Sequence, residues 1–348
     1  MNWIESKVRS ASISRMFLAA AVIVVVIITL AANARYFSNF FKGPYAIAPA
    51  EMAAASGAED LKRYWVNLKA DELFDSGYQE ITVRKKHGVE RSREISANYH
   101  VALLGDRLLL VKAHKDTPTT SLTGYLKPIS GKVDQSFFDD PKVAKHRDRF
   151  YPMMLDTADF KGDGEIGLIV ASLLILAAIV YGAIAFGRFR NPASHPLFKS
   201  TASWGEPDEV SAMLKTELDS GKTLKFGGYV FTPNFVVRDQ QLNFDVQRLD
   251  DLLWVYKQVV QKKIYYVIPA GKTFSVCLNW MKQSIPISGK EENVDTVLHY
   301  LANHKPWILL GHSDELAKAY KKKRSEIAEV VAQRRREVAQ ATQEGTPA

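Results

Sequence analysis

Few side chains in this sequence could carry chemistry, and they are dispersed. Cys277 is the lone cysteine. A single thiol excludes a disulfide framework within the chain, a four-thiolate zinc site and a CxxC redox pair. It alternates with apolar residues in TFSVCLNW (273–280), the pattern of a small core residue on a strand. The eight histidines are His87, His100, His114, His146, His195, His299, His304 and His312. His299 and His304 stand five apart, off a common helix face, so they do not make the i, i+4 pair of a zinc-hydrolase helix. No GxGxxG loop, HExxH, Walker-type GK loop or GxSxG elbow is expected. The acids Asp156, Asp159, Asp163 and Glu165 would suit a hard cation. They lack the alternating register of a calcium loop, and read as a charged loop leading into a helix. No catalytic residue, metal ligand or cofactor is therefore expected.

Two groups of bases could instead bind. The stretch Arg84 to Arg93 (RKKHGVERSR) reads as a hairpin loop around Gly88. Its interleaved acids argue for a solvated or lipid-touching loop over a nucleic-acid contact. In the tail, Lys321, Lys322, Lys323 and Arg324 form one basic block and Arg334, Arg335 and Arg336 a second. These seven are the candidate lipid or partner contacts. Leu316, Tyr320, Ile327, Val330, Val331 and Val338 give a broken apolar stripe. A solvated helix, a self-association or partner helix and a membrane-surface helix all fit it.

The elements that would position these groups are dominated by two apolar runs. Met16 to Ala32 and Ile166 to Gly187 hold no formal charge. At 1.5 Å per residue they span about 26 and 33 Å as helices, close to the ~30 Å hydrocarbon core of a bilayer. Both are apolar all round, unlike an amphipathic helix of a soluble protein. Two transmembrane helices are expected. The first has a rival reading as a cleaved signal peptide, since Ala32, Asn33 and Ala34 form an A-x-A pattern. Its apolar core exceeds the usual 7–15 residues, which favours an uncleaved anchor. Lys7, Arg9 and Arg15 precede the first run, and Arg188, Arg190 and Lys199 follow the second. Positive flanks stay cytoplasmic, so both termini are expected inside and residues 33–165 outside an inner membrane. In Ala178 and Gly182 the second run has a small-xxx-small pair that would let another helix approach. The remaining composition is that of a globular protein, with 47% hydrophobic and 24% charged residues and a net charge of +8 over 348 residues.

The expected organisation is a cytoplasmic N-terminus (1–15), spans at 16–32 and 166–187, and an extracytoplasmic β-rich domain (33–165). A linker (188–205), a cytoplasmic α+β domain (206–312) and a basic helical tail (313–348) follow. Tyr36, Phe37, Phe40, Phe41 and Tyr45 suit the membrane interface or the underside of the outer domain. Five strand-like runs, Tyr64–Leu68, Tyr78–Val83, Ser96–Leu104, Arg107–Val111 and Thr119–Lys127, suggest a small OB-like barrel. Inside, Pro207–Asp219 has helical spacing. Strand runs follow at 223–231, 234–238, 241–246, 252–256, 263–268, 273–280 and 284–288. A turn is expected at Gly271 and Lys272, then a helix over 291–303 and one long helix from Ser313.

The succession YVFTPNFVV, a short turn and LDDLLWVYKQ resembles a pleckstrin-homology or GRAM-type module over Thr223 to Asn303. The whole chain is similar to a bacterial family of unknown function with two transmembrane helices. The resemblance implies lipid or peptide binding without catalysis. Lys222 and Lys225 in the first hairpin lack the arginines of an inositide cluster. The favoured function is a non-enzymatic membrane-anchored binding or scaffold protein. The alternatives are an accessory or signalling subunit of an envelope complex, and an enzyme with an unrecognised site. The expected partners are the lipid bilayer, a protein, and a second copy through the tail or the second span, without nucleic acid.

Overall fold

A computed structural model describes residues 2–86, 88–114, 119–264 and 268–343. His87, part of the expected strand 263–268, and the last five residues lie outside them. The chain forms two compact units, Ala21–Ala178 and Met1–Ala20 with Ile179–Ala348.

The first unit takes the end of α1 (Trp3–Ala32), then α2 (Ala34–Lys42), β1 (Tyr45–Ala46) and α3 (Pro49–Ala54). Next come β2 (Trp65–Lys69), β3 (Glu72–Lys86), β4 (Val89–Leu104), β5 (Arg107–Ala113) and β6 (Ser121–Lys127). Two short helices, α4 (Gly131–Phe138) and α5 (Pro141–Ala144), precede β7 (Phe150–Asp156), which leads into α6 (Gly162–Arg190). The strands form one sheet in the order β1-β2-β6-β7-β5-β4-β3. It is open, with β1 and β3 at its edges, in place of the expected barrel. The cause is β7. Its run FYPMMLD carries Pro152, which reads against a strand. It nevertheless inserts between β6 and β5, antiparallel to one and parallel to the other.

Leu109, Val111, Met153 and Leu155 point to one face of this sheet, with Leu122 and Leu126. Leu110 and Met154 point to the other, against Phe137, Phe138 and Phe150. Burial on both faces is why the central strands read as continuous apolar runs. A turn at Gly105, with φ +62°, joins β4 to β5, where Leu104 pairs with Arg107. The basic stretch 84–93, expected as a loop, is drawn into the ends of β3 and β4, where Arg84 pairs with Ser92 and Lys85 with Glu90 across the ladder. Its charges neutralise each other in solvent, Arg84 with Glu94 at 3.0 Å and Arg93 with Glu90 at 3.1 Å.

The second unit contains the start of α1 and the end of α6, then α7 (Pro196–Thr201) and α8 (Pro207–Asp219). One sheet has β8 (Leu224–Phe226), β9 (Tyr229–Phe231), β10 (Phe235–Asp239) and β11 (Phe244–Arg248), antiparallel in sequence order. A 3-10 turn (Leu249–Asp251) leads to β12 (Leu252–Ile264), β13 (Ile268–Trp280) and β14 (Ser284–Gly289), a second antiparallel run. α9 (Glu291–His304), β15 (Leu309–Leu310), α10 (Asp314–Lys322) and α11 (Arg324–Gln343) complete it, with β15 parallel to β12. The expected single strand 223–231 is a hairpin, because Gly227 and Gly228 take φ of +57° and +79°. Gly271 and Lys272, expected as a turn, lie within β13, where Lys272 pairs with Gln261. The expected single tail helix breaks at Lys323, with φ −143° and ψ 48°.

Three cores hold this unit. Phe231, Val236, Leu252, Val255, Val276 and Leu278 meet Val294, Val297 and Leu301 of α9. On the other face of β10, Phe235 and Val237 join Phe244, Val246, Leu197, Val210 and Leu214. Ile4, Val8 and Ala11 of α1 complete that second core. Residues 3–11, expected only as a basic flank, are thus a core helix, tied by Lys7 to Asp239 at 2.6 Å. The third core sets Ile327 and Val331 of α11 and Tyr320 against Leu253 and Trp254.

α1 and α6 are long and apolar enough to cross a membrane, and little of either apolar stretch is buried. Phe17 is 72% exposed and Leu173 61%. Gly182 of the small-residue pair lies against Ala19 of the chain's own first helix.

Candidate functional site

The clearest assembly of polar groups is in the second unit and begins with the sequence LDDL (249–252). Leu249 and Leu252 are core residues. The tight turn between them presents Asp250 and Asp251 to the same groove. Asp250 Oδ1 accepts from Lys305 Nζ at 2.6 Å, and Oδ2 accepts from Arg335 Nη2 at 2.7 Å and Arg248 Nη2 at 3.2 Å. The carboxylate side chain is 9% exposed and the Lys305 side chain 7%. Burial pushes the Asp250 carboxyl up, but its hydrogen bond to Lys305 and the charges of Lys305, Arg335 and Arg248 outweigh this and hold it below the usual range. Asp251 lacks such a partner set, and burial raises it. Lys305 Nζ and the Arg335 guanidinium lie 5.2 and 5.3 Å from the Trp307 ring, so two cations share one aromatic face set.

Asp250, Asp251 and Arg335 border a groove of about 910 Å³. Lys199, Trp204, Trp280, Lys282 and Arg336 line the rest of it. Asp250 is already matched by three cations, so the groove offers Lys199, Lys282 and Arg336, against the single acid Asp251, beside two indoles. That chemistry recognises an anionic group next to an apolar one.

The seven basic residues singled out in the tail have different fates. Arg335 is the Asp250 partner. Arg324 donates to Tyr320 O at 3.0 Å and Met281 O at 3.1 Å, and stacks on the Tyr320 ring at 4.5 Å. Both arginines hold the tail to the sheet. Lys323 pairs with Glu326 at 3.0 Å. Arg336 lines the groove, while Lys321, Lys322 and Arg334 are exposed. Sequence reasoning missed Asp250, Lys305 and Lys282, which lie outside the basic runs. The paired acids inside an apolar turn were the available signal.

A second polar cluster lies in the first unit. Asp156, with its side chain 2% exposed, accepts from Lys127 Nζ and from the Ala158 N–H at 2.9 Å. His114 Nε2 is 2.9 Å from Oδ1 but off line for a hydrogen bond. Burial raises the Asp156 carboxyl, and Lys127, the Ala158 N–H and His114 together bring it below its ordinary value. Nearby Tyr125 is pushed up to about 12, first by burial and then by the charge of Asp156. Asp156 is thus a buried ion-pair partner, and Asp159 caps its own turn by accepting from Lys161 N at 3.0 Å. The expected interface aromatics divide: Tyr36 and Phe40 pack near Phe160, and Phe41 is exposed.

Contrary to the expectation of no GxGxxG loop, Gly162, Gly164 and Gly167 have that spacing, after β7 and opening α6. Packing requires glycine at Gly164 alone, since a Cβ on Gly167 would meet nothing and one on Gly162 only the Asp159 carboxylate. A Cβ on Gly164 would lie 2.4 Å from the Tyr36 hydroxyl and 2.8 Å from Phe40. Asp163 and Glu165 also put negative charge where a pyrophosphate would sit. Cys277 is buried in β13, and burial raises its thiol, as for a packed strand residue. Among the described residues no three or more His, Cys, Asp or Glu side chains are placed to hold a metal ion.

Residues 217–320 match a family described as a domain of unknown function (DUF6709). The match covers both sheets and α9 of the second unit. It leaves out the start of α1 and all of α11, which carry Ile4, Val8, Ala11 and Arg335. Comparison with curated proteins and with solved structures gives no match.

Proposed function

We propose that the chain is a non-enzymatic binding protein of a bacterial inner membrane, crossing the bilayer twice with both ends in the cytoplasm. The carrying observation is the core formed by Ile4, Val8 and Ala11 with Leu197, Val210, Leu214 and Phe235. It joins the segment before the first apolar run to the segment after the second. Two flanks folded into one core share a side, and an even number of crossings satisfies that. The exposed apolar faces of α1 and α6 support burial in lipid, since water would oppose so large a patch. Basic flanks at both ends set the shared side as cytoplasmic.

In this reading residues 206–312 are a PH-like module. Four antiparallel strands, three more, and a helix whose Val294, Val297 and Leu301 close the core support it. The groove beside Asp250 is its partner site, and its free bases with Trp204 and Trp280 suit an acidic, aromatic-flanked protein segment. A photo-crosslinker at Ser203 in the full-length protein tests this. A discrete adduct that Lys282→Glu with Arg336→Glu abolishes is the expected result. An adduct unchanged by that charge reversal, or none, overturns the partner site.

A further inference from the structure

The second unit holds another group of bases that the groove does not use. Arg9 and Arg15 lie on α1 before its apolar run, and Arg188 lies on α6 after its own. All three are half-buried. Arg9 Nε is buried without a hydrogen-bond partner, and its guanidinium lies 5.8 Å from the Phe189 ring, which sets the two helices side by side here. Arg15 uses only Nε, donating to Leu242 O at 2.9 Å, so its two terminal nitrogens remain available. Among the described residues no carboxylate pairs with Arg9, Arg15 or Arg188. The ion pair of Lys7 with Asp239 includes none of them.

A half-buried guanidinium has lost part of its hydration and needs an acceptor in return. Elsewhere in this unit that acceptor is present, as Asp250 is for Arg248 and Arg335. Here Arg9, Arg15 and Arg188 have no such carboxylate among the described residues. The field is felt at His195, which burial and then the charges of Arg188 and Arg15 lower to about 4. The planar donor fork of arginine matches phosphate oxygens two at a time. Arg15 and Arg188 directly flank the two apolar runs and Arg9 stands about two turns before the first, which is the headgroup side on the two-span reading.

We infer that Arg9, Arg15 and Arg188 hold the phosphate of an anionic phospholipid headgroup where α1 and α6 leave their apolar stretches. This rests on the membrane-spanning reading above. The test uses full-length protein in nanodiscs of phosphatidylglycerol or phosphatidylcholine, with native mass spectrometry of the released protein. Wild type is expected to retain phosphatidylglycerol about tenfold over phosphatidylcholine, the factor one charge-assisted bond carries. Arg15→Gln with Arg188→Gln should remove the preference, while Arg334→Gln, the loss of an exposed tail charge, should keep it. The His195 ring, followed by NMR in intact discs, should titrate higher in phosphatidylglycerol than in phosphatidylcholine. Equal retention of the two lipids overturns the inference. So does an Arg334→Gln loss equal to that of the double variant, or the same His195 shift from inorganic phosphate alone. Protein that never enters the discs and stays dissolved overturns the two-span reading and this site together.

Discussion

At the scale of single residues, charge placement decides more than charge number. Lys305 is buried between Asn234 and Asp250 and over Trp307. Lys305→Met should lower the stability of the second unit by ~3 kcal/mol, because it leaves a buried carboxylate short of its closest partner. Chemical denaturation in detergent, followed by tryptophan fluorescence, reads this directly. A loss under ~1 kcal/mol would mean that Arg248 and Arg335 suffice. His195 gives a pH window. Its folded value of about 4 lies below the ordinary 6.5, so the unfolded chain binds the proton first. Stability is then full above pH 6.5 and falls as the pH drops toward 4, by ~2 kcal/mol after solvent screening. Arg15 and Arg188 are the charges facing the ring, and His195→Gln should flatten this slope in zwitterionic detergent. Little of this was legible in the sequence. Runs of lysine and arginine draw attention, yet Arg324 and Arg335 inside those runs are structural. Asp250 and Lys305 meet only because strand and helix ends are brought together 55 residues apart.

At the scale of elements, periodicity served where one face or none was buried. Pro207–Asp219 was legible to the residue, since proline and acids open it and its apolar spacing is regular. β7 was not, because Pro152 masks a strand buried on both faces. The tail shows the same limit. Its stripe fits a free helix, but Ile327 and Val331 are 5% and 4% exposed against Leu253 and Trp254. Ile327→Asp with Val331→Asp should therefore release α11 from the sheet while the rest of the unit stays folded. Limited proteolysis should then cut near Lys323 at least tenfold faster than in wild type. An unchanged rate would show that Arg324 and Arg335 alone hold the tail.

For the whole molecule, the two apolar runs and their flanking charges predict an arrangement that reporter fusions can check. Reporters at positions 10 and 250 should behave alike, and one at 100 should behave oppositely. A reporter at 100 that matches the other two would overturn the two-span topology. The core built from Ile4, Val8 and Ala11 adds that residue 10 must stay attached, so mature protein should retain Trp3 by intact mass. The sequence by itself determined two long apolar helices, their basic flanks and most strands. Those follow from local hydropathy, turn residues and charge, which act over a few residues. Only the tertiary structure decided that the first unit is an open sheet. It also decided that the N-terminal segment completes a core made 190 residues later, and that one aspartate collects three cations. Each of these depends on which distant segments pack together, and that choice is made by the summed burial of many side chains rather than by any local pattern.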